Sequence, residues 1–184
     1  CMYLLLCGCG AGFSVQQHHI KKLPSFAKMS KRTAKKFVIE DSIEGWSDAV
    51  GVLISSYFEQ DELFPEYTGR NVQFDFSKIR PAGSYLSSSS GKAPGPEPLK
   101  KALVNIKRVL DKALKNCDFC ADELRNLSSI EAYDIVMHAA DAVISGGVRR
   151  SATICLFSPD DEQMAKAKTG NWFHENPQRG RSNN

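Results

Sequence analysis

The 184-residue chain has the length of one ordinary domain. Apolar residues make up 42% and charged residues 24%, a balance that argues against disorder along the whole chain. The formal net charge of +3 is compatible with anionic ligands, and the sequence lacks the concentrated basic face that marks a nucleic-acid binder.

The first segment, Tyr3 to Val15, is an apolar run interrupted by Gly8, Gly10 and Gly12. It predicts a buried element that turns tightly into a strand, with glycines permitting close backbone approach. Met2 to Gly8 imitates a lipoprotein signal, but no positive residues precede it and the apolar run is short. No apolar run approaches roughly 18 residues, so no membrane span is expected. Gln16 to Lys36 is polar and predicts a loop, including the basic run Lys28 to Lys36 as a solvated stretch. From Ser42 a helix is expected, because Ile43, Trp46, Val50, Leu53, Ile54 and Tyr57 fall on one stripe. Pro65 and Gly69 mark turns, and Val72, Phe74 and Phe76 alternate as in a half-buried strand.

Ile79 to Pro98 has no hydrophobic period and is rich in Gly, Pro and Ser. It reads either as an interdomain linker, which composition slightly favours, or as a long loop serving a ligand. A helix then starts at Pro98, with Leu99, Ala102, Leu103, Ile106, Val109, Leu110 and Leu114 on its apolar stripe. Another starts near Ser128, which has capping-box spacing to Glu131. Its inward face is Ile130, Tyr133, Val136, Ala140, Val143 and Ile144, and it stops at Gly146-Gly147. Ser151 to Phe157 predicts a strand. Ser158 is expected to cap a last short helix closed by Gly170, and the remaining residues read as irregular. Helices alternating with short apolar strands define an α/β class, with no internal repeat.

Six cysteines are too sparse for a disulfide-stapled secreted scaffold and point to a reducing, cytoplasmic compartment. Cys117 and Cys120 form a CxxC, but a helix precedes it where a thioredoxin-like motif needs a strand. With Cys7 and Cys9 the pair could build a zinc site, although Cys-x-Cys in an apolar run suits buried inert thiols better, so no metal is assigned. His18 and His19, on an extended segment, would point to opposite faces. The glycines of CGCGAG (7–12) lack the lysine and hydroxyl of a P-loop, so close strand packing is their default reading. No catalytic triad or carboxylate pair stands out. The most informative local stretch is Ser145 to Ser151 (SGGVRRS), where two arginines follow two glycines at a helix–strand junction. Such a loop is either a solvated turn or a deformable phosphate- and base-reading element.

Five segments carry a resemblance: GAGFSVQ (10–16), SKIRPAGSYL (77–86), GKAPGPEPL (91–99), SGGVRRSA (145–152) and SPDDEQMAKAKTGNW (158–172). In this order they resemble the adenosylcobalamin-dependent ribonucleotide reductases, of the monomeric, triphosphate-reducing type. The resemblance implies a ten-stranded α/β barrel, of which residues 1–184 would form a single partial domain. It implies a first effector loop at 79–98, with Arg80 on the phosphates of a deoxynucleoside triphosphate and with Gly83 and Lys92 also binding the effector. A second loop, 145–151, would tell the active site which base to accept through Gly146, Gly147, Val148, Arg149, Arg150 and Ser151. Residues 21–78 resemble an insertion that imitates a missing dimer partner, which implies a monomer.

The resemblance further implies a ribonucleotide substrate, adenosylcobalamin as cofactor, and thioredoxin or a similar dithiol as reductant. The chain departs from the pattern at the radical cysteine. Its only look-alike of that motif, Asn176-Pro177-Gln178, has no sulfur, and Cys1 is a poor candidate for the reducing pair. It therefore reads as an internal piece with no catalytic residue of its own and no turnover alone. Two rivals stand beside this reading: a nucleotide-binding regulatory module without an enzymatic parent, and a small zinc-stabilised interaction domain.

Overall fold

The computed structural model describes residues 1–29, 33–59, 63–85, 91–116, 126–145 and 152–184. Helix α1 (Met2–Leu6) leads into strand β1 (Ala11–Ser14), followed by a helical turn α2 (Gln17–Ile20). Strand β2 (Lys35–Val38), helix α3 (Ile43–Ser55) and strand β3 (Val72–Asp75) come next. Two long helices, α4 (Glu97–Lys115) and α5 (Ser129–Ser145), precede strand β4 (Thr153–Leu156). Short helices α6 (Glu162–Ala165) and α7 (Trp172–Glu175), a 3-10 turn Pro177–Arg181 and strand β5 (Ser182–Asn183) complete the order.

The fold is mixed α/β with small parallel sheets. One sheet has the order β1-β4-β5 and the other pairs β2 with β3; both are parallel, and no closed barrel forms among the described residues. In the first, Ala11 pairs with Thr153 and Gly12 with Ile154. A Cβ on Gly12 would come within 3.3 Å of Ile154 Cγ2, which is the close strand packing expected of the glycine-rich segment. In the second, Phe37 lies opposite Phe74 and their rings meet edge to face.

The long helices form where the apolar stripes predicted them. Ser42 caps α3 by accepting from the Gly45 N–H at 3.0 Å. Glycine at position 45 is required, since a Cβ there would sit 2.3 Å from the Glu40 carbonyl oxygen. Leu99, Ala102, Leu103, Ile106 and Leu110 bury the stripe of α4. The capping box of α5 is reciprocal: Ser128 N–H donates to Glu131 Oε2 at 2.9 Å, and Glu131 N–H donates to Ser128 Oγ at 3.4 Å.

Helix α5 differs from its predicted single inward face. Tyr133, Ala140 and Val143 are buried, but so are Ile135, Met137, Ala139 and Ala142, while Ile130 and Val136 are half-buried. The cause is position: α1, α4, α6 and the Pro177–Arg181 turn all pack on it, so apolar residues around most of its circumference find partners.

Four other expectations are corrected. The expected loop 16–36 contains α2, and its last two lysines belong to β2. Lys36 pairs with Asp75 at 2.7 Å, and Lys35 Nζ lies 4.4 Å from the Tyr67 ring centre, so long side chains at a sheet edge satisfy themselves laterally. His18 and His19 stand on α2 rather than on extended chain, with ring centroids 4.0 Å apart. The cap of α6 is Asp161, whose carboxylate accepts from the Met164 N–H at 3.0 Å, and α6 ends at Ala165, before Gly170. Ser158 instead accepts from the Gln17 N–H at 3.0 Å.

The tail beyond Gly170 is ordered against α5. Arg179 makes a two-pronged pair with Asp134 (2.7 and 2.6 Å), both side chains 13% exposed. Arg181 bonds Asp141 at 2.8 Å, and the Tyr133 hydroxyl lies 2.9 Å from Ser182 Oγ. What reads as polar tail sequence is thus the partner of acidic and phenolic groups on one helix.

Candidate functional site

The loop that follows β3 begins beside the segment that follows β2, because the two strands are parallel and leave their sheet together. The Ile39 N–H donates to the Asp75 carbonyl at 2.9 Å, extending the ladder by one residue. Glu40 and Asp41 therefore emerge next to Lys78 and Arg80. Lys78 pairs with Glu40, and Arg80 Nε donates to Asp41 Oδ2 at 2.5 Å. Ile79, between the two cations, is buried and pins the loop to the core.

Beyond Arg80 the chain forms a narrow hairpin. Gly83 has φ +88° and its N–H donates to the Ala93 carbonyl at 2.9 Å; the Ala93 N–H donates back to Ser84 at 2.7 Å. Tyr85 and Lys92 form an antiparallel bridge at the top of the stem, and Tyr85 is 82% exposed. Gly95 closes the base with φ +72°, where a Cβ would sit 2.8 Å from the Ala82 nitrogen. Of the predicted effector residues, Gly83 and Lys92 thus share one hairpin and Arg80 stands at its foot. Residues 86–90 lie outside the described residues.

The structure adds Asp41, which sequence reading missed. It sits immediately before the α3 cap and meets Arg80 across 39 residues of chain. An acidic residue beside a helix start reads locally as dipole complementarity, and nothing in the sequence links it to a distant arginine.

The second predicted loop, Gly146, Gly147, Val148, Arg149, Arg150 and Ser151, lies outside the described residues, as do Cys117 and Cys120. Its flanks are described: α5 runs to Ser145, and the Ala152 carbonyl accepts from the Ala11 N–H at 3.0 Å. Among the described residues no group of three His, Cys, Asp or Glu side chains forms a metal site, and no helix is long and apolar enough to cross a membrane. The Asn176-Pro177-Gln178 look-alike opens the 3-10 turn, with Gln178 buried and its amide donating to Asp134 at 3.3 Å.

A mixed α/β segment with a glycine-shaped hairpin and an arginine at its foot defines a class compatible with anion recognition. The comparisons with known proteins narrow this. The family of B12-dependent ribonucleotide reductases, through its insertion domain, matches residues 16–110, more than half of the chain. The chain belongs to this family, the adenosylcobalamin-dependent class II ribonucleotide reductases. It is 33% identical over 129 residues to a putative adenosylcobalamin-dependent ribonucleoside-triphosphate reductase of Mycobacterium phage D29, covering 70% of this chain and 18% of that protein. It is 34% identical over 130 residues to the corresponding reductase of Lactobacillus delbrueckii, covering 71% of this chain and 16% of that one.

A crystal structure of a B12-dependent class II ribonucleotide reductase superimposes with a TM-score of 0.80 at 24% identity, over all of this chain and 27% of that one. The chain thus spans less than a fifth of the length of these two curated relatives. Family membership sets aside both the zinc-stabilised interaction domain and the regulatory module without an enzymatic parent.

The family is B12-dependent, and two grooves among the described residues, about 350 and 410 Å³, are each smaller than a corrin macrocycle with its nucleotide tail.

Proposed function

We propose that this chain is the effector-reading part of an adenosylcobalamin-dependent ribonucleoside-triphosphate reductase. In the parent enzyme it would complete a ten-stranded α/β barrel, and the exposed Ile154 and Leu156 on one face of a parallel sheet support further covering of that face, since parallel sheets are normally buried on both sides. Bound cobalamin supplies the radical chemistry that starts reduction of a ribonucleotide at its 2′ carbon, elsewhere in the parent. A thioredoxin-type dithiol restores the enzyme in the reducing cytoplasm. Residues 21–78 serve as the insertion that stands in for a dimer partner, so that the enzyme works as a monomer.

The observation that carries the reading is Arg80, held at the foot of the 79–98 hairpin by Asp41. The guanidinium is 36% exposed and the carboxylate 28%, so an incoming phosphate can reach it and take over a bond now made to a carboxylate oxygen. Guanidinium geometry matches phosphate as well as carboxylate. Gly83 leaves the hairpin backbone open, with nothing within 4 Å of where its Cβ would stand, and Lys92 adds a second cation. Effector occupancy would pass to the substrate base through residues 145–151.

The test uses the full-length reductase. Arg80→Ala is expected to weaken deoxynucleoside triphosphate binding by about 1.5–3 kcal/mol, the scale of a charge-assisted hydrogen bond, while effector-free turnover persists. Calorimetric titration that returns wild-type effector affinity for this variant overturns the assignment.

A further inference from the structure

A groove of about 350 Å³ lies between α3, β3 and α4 and contains none of Arg80, Gly83 or Lys92. Its size falls at the lower end of small-ligand pockets, roughly 300–1,000 Å³. Leu53, Phe74, Phe76 and Leu103 supply an apolar lining, and both phenylalanines are only half-buried. Aromatic faces left partly open in a concavity suit a flat apolar body.

Three cations line the same groove: Arg70, Lys100 and Lys107. Two have carboxylate partners. Lys100 pairs with Glu97 at 2.6 Å, and Lys107 with Asp111 at 3.0 Å, where the Tyr57 hydroxyl also donates to Asp111. Arg70 is different. Among the described residues no carboxylate pairs with it; its Nη2 reaches only the Thr33 carbonyl at 3.4 Å, and its Nε is buried without a hydrogen-bond partner. Buried polar groups are nearly always paired, and a guanidinium carries its charge at every physiological pH. A cation without a carboxylate among the described residues, set beside an aromatic concavity, is the complement of an aromatic anion.

We propose that this groove is a second ligand site, distinct from the effector hairpin, for a small anion built as a flat aromatic body with one acidic group. The ring would lie against Phe74 and Phe76, and the acidic oxygens would take the unused donor capacity of Arg70. The inference stands on the groove alone and does not depend on the effector reading.

The probe is 8-anilinonaphthalene-1-sulfonate, titrated into the full chain by calorimetry and fluorescence. One saturable site per chain is expected. Val104→Glu, which sets a carboxylate in the groove wall, and Arg70→Gln should each weaken binding at least tenfold. Leu156→Glu, on the exposed face of β4, should leave it unchanged. The neutral analogue N-phenyl-1-naphthylamine should bind at least tenfold more weakly than the sulfonate. Equal affinity for the neutral analogue, unchanged affinity in Val104→Glu, or several weak sites in place of one overturns the proposal. Circular dichroism accompanies each variant; should Arg70→Gln unfold, Val104→Glu and the neutral analogue still decide.

Discussion

Arg80 and Asp41 are joined by an ion pair 2.5 Å long although 39 residues separate them, because β2 and β3 run parallel and release both residues at the same end of their sheet. The contact ties the foot of the hairpin to the start of α3. If Arg80 holds effector phosphate as proposed, the phosphate competes with the Asp41 carboxylate for the same guanidinium, which would link effector binding to the start of α3.

The second loop is tested by selectivity. Arg149→Ala or Arg150→Ala in the full-length reductase should compress substrate preferences between effectors toward one, losing up to the typical coupling of about 1–3 kcal/mol. Effector affinity itself should stay near wild type, in contrast to Arg80→Ala. Competition among the four ribonucleotides, with and without each deoxynucleotide, measures this; full discrimination in both variants would mean that 145–151 is a solvated turn.

The Asp134–Arg179 pair is the test of how the tail is held. Asp134→Ala leaves a guanidinium only 13% exposed without its carboxylate, and removing one partner of a buried pair costs about 3–5 kcal/mol. Replacing both by apolar residues, Asp134→Leu with Arg179→Met, should recover much of that loss. Urea unfolding of the three proteins gives the comparison, and equal stability of single and double variants would show that the pair is solvated.

Asp161 predicts a pH dependence. Burial pushes its carboxyl upward, but hydrogen bonds from Ser129, the Met164 N–H, Gln17 and the Gln163 N–H together outweigh it and hold the group below its ordinary value. A carboxyl lowered in the folded state contributes stability that is fully present above the unfolded value of about 4. That contribution fades as pH falls through the lower folded value. Asp161→Asn should therefore be less stable than wild type at pH 7, with the gap closing at acid pH. A gap that stays constant from pH 7 to pH 3 counts against the carboxylate as the source.

Cys155 is 3% exposed, and burial pushes its thiol up to about 11 against the smaller opposing pull of Lys168. The thiolate is the reactive species, so iodoacetamide at pH 8 should label the exposed Cys1 and Cys9 long before Cys155. Peptide mapping by mass spectrometry reads the order, and early labelling of Cys155 in folded protein would contradict its burial on β4.

Much of the helical framework was legible. The stripes of α3 and α4 and the caps at Ser42 and Ser128 are short-range patterns, and each is satisfied within a few residues of itself. β2 was not legible, because Lys35 and Lys36 look like solvent and become a strand only when β3 offers them a ladder. The Asp161 cap was displaced from Ser158 because Gln17, far away in sequence, claims the serine hydroxyl.

What the sequence by itself determined was the set of locally encoded elements and, through five ordered motifs, membership in the reductase family. The hairpin residues Arg80, Gly83 and Lys92 were named on the same basis. Only the tertiary structure decided that Asp41 grips Arg80, that α5 is buried on nearly every side, and that Arg179 and Arg181 return to α5. Those pairings depend on which distant segments share a sheet edge or a helix face. Local periodicity carries no record of that, since any carboxylate on any neighbouring element would satisfy the same arginine.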